Sequence, residues 1–202
     1  MSWTIDPVMV LAYAWFAWVG AVTPGPNTMI ALSCGIHFGR ASITAHLIGV
    51  VVGVSVMMLL MLNGAQILIE MLPAAAGVLR WLGVLWLLWM GLQLARTRGL
   101  ARERGLRPPR LWESAMLQWA NPKAWMVISG TAATWRGIAE PGWLDALLLT
   151  ALFAGSCALA LILWAVGGER LSNWLQQGQR LARFNLLLGL SLCATALWLA
   201  AA

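Results

Sequence analysis

The sequence predicts an all-α membrane protein, six transmembrane helices in two inverted-topology halves of three, with the first helix of each half broken by proline. Three observations carry this. Of 202 residues, 61% are hydrophobic and only 10% charged, too little polar surface to cover the core of a soluble domain. The mean hydropathy of +0.78 also argues against a transmembrane β-barrel, whose alternating strands stay near neutral. At about 20 apolar residues per helix, the chain has room for roughly six spans and no separate catalytic domain. We therefore expect one transmembrane domain over 1–202, with half one at 1–95, an arginine-rich loop at 96–109 and half two at 110–202.

Apolar stretches between polar punctuation place the helices at about 8–33, 43–72, 75–95, 110–135, 143–167 and 184–201. Asp6-Pro7 and Pro108-Pro109 read as helix openings, because proline is tolerated in the first turn and aspartate can cap it. The run from Val8 is too long for a signal-peptide core, so it is expected to stay as the first span. Asn63, Gly64 and Gln66 interrupt the second stretch, which suggests a span to Leu62 and a short surface helix to Met71. Gly35/Gly39 and Gly49/Gly53 are small-xxx-small pairs suited to close helix packing, within one chain or across a homodimer. Between spans five and six, Leu171, Trp174, Leu175 and Ala182 recur at helical spacing beside arginines, the pattern of a helix lying on the inner leaflet.

Arg96, Arg98, Arg102, Arg104, Arg107 and Arg110 crowd one loop, with Glu103 as the acid among them. Basic loops stay in the cytoplasm, so this loop is expected inside and both termini extracytoplasmic. Arg40, Arg170, Arg180 and Arg183 then also fall inside, and Glu113 sits at the inner surface. The net charge of +6 is read as a topology signal and lipid headgroup contact; aromatic interleaving for nucleic acid is absent, so no nucleic-acid partner is expected.

Thr23-Pro24-Gly25-Pro26-Asn27 and Asn121-Pro122-Lys123 break the first helix of each half. Proline removes a backbone donor and crowds the carbonyl four residues earlier. Such backbone survives at membrane depth only when packed in protein or lining a wet cavity, and paired breaks in matching helices point to a transport site; lone proline kinks are the plainer alternative. Gly25-Pro26 and Asn121-Pro122 each resemble a cap followed by proline in a new first turn. The unpaired N–H groups and partial positive charge of two such ends attract an anionic group such as a carboxylate. Pro24, Gly25, Pro26, Asn27, Asn121, Pro122 and Lys123 are thus the candidate substrate-binding residues. Lys123, the chain's sole lysine, either snorkels to the interface or serves transport; with His46 it is a candidate for proton coupling, although His46 also suits plain hydrogen-bonded packing. Trp119 and Trp125 flank the second break and are placed to line a cavity.

These strings, with Gly35, Gly39, Gly49, Gly53, Leu79-Arg80-Trp81-Leu82-Gly83, Trp89-Met90-Gly91 and Asn121-Pro122-Lys123-Ala124, resemble the LysE/RhtB family of amino-acid exporters over nearly the whole length. The resemblance implies a bacterial-type inner-membrane exporter of small amino acids or derivatives, driven by protons, with functional roles at Pro24, Pro26, Asn27, Asn121, Pro122 and Lys123. That family often carries an acid on span five where Cys157 stands here. With span five read as free of acids, a neutral substrate is favoured, its ammonium met by carbonyls freed before the prolines, such as that of Gln118.

An alternative within transport is soft-metal, cadmium-type efflux through Cys34, Cys157, Cys193 and methionines. A non-transporting assembly protein is the remaining alternative. No enzyme is expected, since the two histidines and seven acids are scattered rather than grouped as an acid, base or metal triad, and no cofactor is called for.

Overall fold

The computed structural model describes residues 7–65, 73–98, 107–136, 143–177 and 179–201. Among these residues the regular elements are all helical: α1 (Pro7–Val22), α2 (Pro26–Phe38), α3 (Thr44–Leu60), α4 (Pro73–Ala95), α5 (Leu111–Ala120), α6 (Pro122–Arg136), α7 (Trp143–Leu175) and α8 (Arg180–Ala201). A 3-10 turn (Arg40–Ile43) leads into α3 and a π turn (Met61–Ala65) leaves it. Helices α1, α2, α4 and α6 each open on proline, where its missing N–H costs nothing.

Polar and apolar groups are distributed as lipid demands. Trp15, Trp81, Trp89, Trp112 and Leu187 are exposed, whereas Thr28, His46, Ser114, Gln118 and Asn121 are buried. So broad an apolar surface belongs in hydrocarbon rather than water. Arg40–Asn63, Trp143–Leu175 and Arg180–Leu197 are each long and apolar enough to cross a bilayer, and α1 with α2, bent by 55° at their junction, makes a fourth. The chain is a multi-pass membrane protein.

Close packing follows the small residues. Helices α1 and α2 pack on α7, α3 on α5, and α4 on α8. A Cβ at Gly35 would collide with the Ala165 carbonyl, and one at Gly168 with the Leu32 carbonyl, so α2 and α7 touch backbone to backbone. Gly49 and Gly53 do the same for α3 against Leu111, Ala115 and Gln118 of α5. Gly39, expected to share in packing, instead lies past the end of α2 at φ 87°, a conformation that favours glycine, and turns the chain toward Arg40.

Several expectations change. The first stretch runs beyond 33, to Phe38, while α3 gives way to the π turn at Met61; the surface helix to Met71 lies outside the described residues. No separate surface helix follows span five: α7 is continuous for 33 residues through Leu171 and Trp174 to Leu175. The reason is tertiary. Leu175 is buried with Leu32, Ile36 and Leu181, and the Ser172 hydroxyl donates to the Ile36 carbonyl at 2.8 Å, so α2 holds the extra turns in helix. Helix α8 starts at Arg180 rather than 184. Helix α7 also contains an acid, Asp145, buried in its first turn, which corrects the reading of span five as acid-free.

The ends of α2, α4 and α7 and the starts of α3, α5 and α8 share one face. Arg40 pairs with Glu169 at 3.3 Å, Asn185 donates to the Thr97 carbonyl at 2.9 Å, and Arg180 lies 4.7 Å over Trp174. Arg107 forks onto Glu113, and the hydrogen-bonded carboxylate raises the Arg107 pKa. Arg40, Arg96, Arg98, Arg107, Arg110, Arg170, Arg180 and Arg183 are all exposed. Such exposed pairs add little stability; they mark this as an arginine-rich face, while Arg102, Arg104 and Glu103 lie outside the described residues.

Candidate functional site

At the first break, α1 stops at Val22 and α2 restarts at Pro26. Thr28 at the third helical position donates to the Gly25 carbonyl at 2.9 Å and accepts from the Gly25 N–H at 2.8 Å, closing the new first turn from within. Trp164 of α7 donates its indole N–H to the Val22 carbonyl at 3.0 Å, one of the acceptors the break leaves over. At the second break only Asn121 lies between α5 and α6, and its side chain accepts from the Lys123 N–H at 3.1 Å, an N-cap as the sequence suggests.

The two breaks meet. Lys123 Nζ donates to the Thr23 carbonyl at 2.5 Å, across 100 residues of chain. Its side chain lies where Gly25 has none: a Cβ there would sit 3.0 Å from Lys123 Cδ and 3.2 Å from Nζ. Lys123 thus joins one broken helix to the other.

A buried polar network extends this junction. Asn27 Nδ2 donates to Gln118 Oε1 at 2.8 Å, and Gln118 Nε2 donates back to Asn27 Oδ1 at 3.2 Å and to the Ser114 carbonyl at 2.7 Å. His46 reaches Ser114 Oγ at 2.9 Å and the Asn27 carbonyl at 3.3 Å. Because a carbonyl only accepts, Nε2 must carry a proton, and neutral Nδ1 then accepts from the serine hydroxyl. The packing role foreseen for His46 is thus real.

A cavity of about 40 Å³ opens at the junction, lined by Gly25, Pro26, Asn27, Thr28, Asn121 and Lys123 of the breaks and by Val50, Val54, Phe153 and Cys157 of α3 and α7. At ~10–15 Å³ per water, it holds roughly three waters, and no amino acid. The first turns of both restarted helices line it. Pro24 lies within the first break but not on the cavity wall, and the Pro122 side chain is outside the described residues.

Some expectations fail here. Trp119 and Trp125 do not line the cavity; they stack edge-to-face at 5.9 Å, and Trp125 donates to the Trp119 carbonyl at 2.7 Å, which satisfies the second break rather than a ligand. The Gln118 carbonyl is not left over either, since it accepts from the Asn121 N–H at 3.1 Å. The three cysteines do not gather into a thiol cluster: among the described residues no group of three or more His, Cys, Asp or Glu could hold a metal ion. Sequence reasoning missed Ser114, Trp164 and the side chain of Gln118, whose carbonyl alone it singled out. Ser114 and Gln118 are four apart in an apolar helix, so their shared face was the available signal.

Trp164→Phe keeps the packing but leaves the Val22 carbonyl without its indole donor. The variant is expected to lose about 1 kcal/mol, read as a lower Tm in detergent.

A family model described as LysE type translocator matches residues 18–202. A cysteine/O-acetylserine efflux protein of Klebsiella pneumoniae subsp. pneumoniae is 29% identical over 169 residues, covering 82% of this chain and 84% of that protein. Proteins of the same description from Shigella flexneri serotype 5b and Escherichia coli strain K12 are each 26% identical over 196 residues, covering 94% of this chain and 97% of theirs. No solved structure matches the chain at a significant level.

Proposed function

We propose that this chain, which belongs to the LysE type translocator family, exports small neutral amino acids or their derivatives from the bacterial cytoplasm in exchange for protons. The observation that carries this is the meeting of the two broken helices at one cavity, with the Lys123 ammonium on the Thr23 carbonyl. An α-amino acid is a zwitterion, and the site has a complement for each end. The substrate ammonium takes the place of Lys123 Nζ at the Thr23 carbonyl. Its carboxylate settles at the first turns of α2 and α6, where helix ends favour an anion, and the released Lys123 pairs with it. The cavity must widen for this. Among the described residues its walls hold Cys157, Phe153, valines and alanines, and no carboxylate, so a cationic side chain would enter without a partner. The names of the related efflux proteins make cysteine and O-acetylserine the first substrates to test. Lys123, the amine at the junction, is the proposed proton carrier, with His46 as a relay.

The proposal extends to topology. Six spans form one transmembrane domain in the cytoplasmic membrane, with halves at 1–95 and 110–202, the 96–109 loop in the cytoplasm and both termini outside. In support, the middle helix of each half packs on the broken helix of the other, α3 on α5 and α7 on α1 and α2, while α4 and α8 pack on each other. Exchanging the halves leaves these pairings unchanged, as an inverted repeat requires.

Inside-out membrane vesicles with an acidic interior test the reading. Cysteine and O-acetylserine are expected to accumulate, lysine is not, and a protonophore abolishes the accumulation. Preferential lysine uptake would refute the substrate class; uptake indifferent to the protonophore would refute the coupling.

A further inference from the structure

We infer that the reciprocal Asn27–Gln118 amide pair, braced by His46 and Ser114, is the gate between the cavity and the arginine-rich face. Asn27 is in the first turn of α2 and Gln118 in the last turns of α5. Both helices run between the breaks and that face: α2 ends beside Arg40 and its partner Glu169, and α5 starts beside Arg107 and Glu113. His46, in the first turn of α3, lies on the same side. Only Asn27 of the four lines the cavity; Ser114, Gln118 and His46 are buried behind it at 1% exposure or less. The cluster therefore closes one end of the cavity.

Three features suit it to open. Helices α2 and α5 are short, 13 and 10 residues, and each is cut from its other half by a break. Each can tilt at the break without bending a continuous helix, which α7 could not do. The closure is made of side-chain hydrogen bonds that water or substrate can replace as the helices part, whereas interlocked apolar side chains would have no such replacement. Finally, a cavity of about 40 Å³ cannot admit an amino acid until some wall moves, and this wall is built from two elements hinged at the breaks. The purpose of the gate, loading from the cytoplasm, rests on the exporter reading; its position relative to the arginine-rich face does not.

Cys157 on the cavity wall serves as reporter once Cys34 and Cys193 are replaced by serine. An impermeant, negatively charged methanethiosulfonate is applied to right-side-out and inside-out vesicles, and Arg98→Cys in a chain with all three native cysteines replaced identifies which vesicles expose the arginine-rich face. Gln118→Ala, and the volume-conserving Gln118→Met, are expected to raise Cys157 labelling about tenfold in the vesicles that expose Arg98, as a tenfold larger open population does, with no change in the others. The exchange Asn27→Gln/Gln118→Asn restores the amide pair and returns labelling to the parent rate. Unchanged labelling, faster labelling from the opposite face or from both, or an exchange variant that labels as fast as Gln118→Ala overturns the gate. Amino-acid export by the parent chain is followed in the same vesicles, so its absence alongside the expected labelling refutes the exporter reading and leaves the gate standing.

Discussion

Lys123→Met is expected to cut amino-acid export about thirtyfold, the rate equivalent of the ~2 kcal/mol that a hydrogen bond to a charged group contributes. The methionine keeps an apolar stem against Gly25, and the Thr23 carbonyl it abandons lies where it is accessible, so the protein should still fold. Initial counterflow rates in proteoliposomes, with size-exclusion profiles as the folding control, measure this. Lys123→Arg is also expected to be impaired, because the planar guanidinium is bulkier than the ammonium that fits beside Gly25. A Lys123→Met protein exporting at the parent rate would remove Lys123 from the site.

Gly35→Leu is expected to destabilise the protein by about 3 kcal/mol, the upper range for overpacking. Even a Cβ at that position meets the Ala165 carbonyl and approaches the Glu169 N–H, so α2 and α7 must separate along their contact. Gly155→Leu is the control, since nothing lies within 4 Å of its Cβ, and its Tm should stay near that of the parent. Equal Tm values for the two variants would mean that the α2–α7 contact does not support the fold.

Helix existence was legible because apolar length alone identifies it, and the breaks were legible because Pro24, Pro26 and Pro122 act through local backbone chemistry. Lys123 stood out for the same kind of reason: a lone charge among apolar residues needs no tertiary information to be noticed. What remained hidden depended on partners remote in sequence. In sequence Gln118 offers its backbone carbonyl as an acceptor, and only the approach of Asn27, 91 residues away, shows that its side chain is the working part. The length of α7 was hidden because Leu175 is held in helix by Leu32 and Ile36, and Trp119 and Trp125 were misplaced because flanking a break in sequence does not fix which way a ring points. Gly39 has the spacing of a packing glycine, but its positive φ, invisible in sequence, assigns it to a turn.

The two broken helices together are proposed to hold the transported molecule. An experimental structure with a transported amino acid bound tests it most directly. The substrate should lie between the breaks, its ammonium within hydrogen-bonding distance of the Thr23 carbonyl and its carboxylate at the first turn of α6 beside Lys123. Substrate bound elsewhere, with Lys123 still on the Thr23 carbonyl, would contradict it.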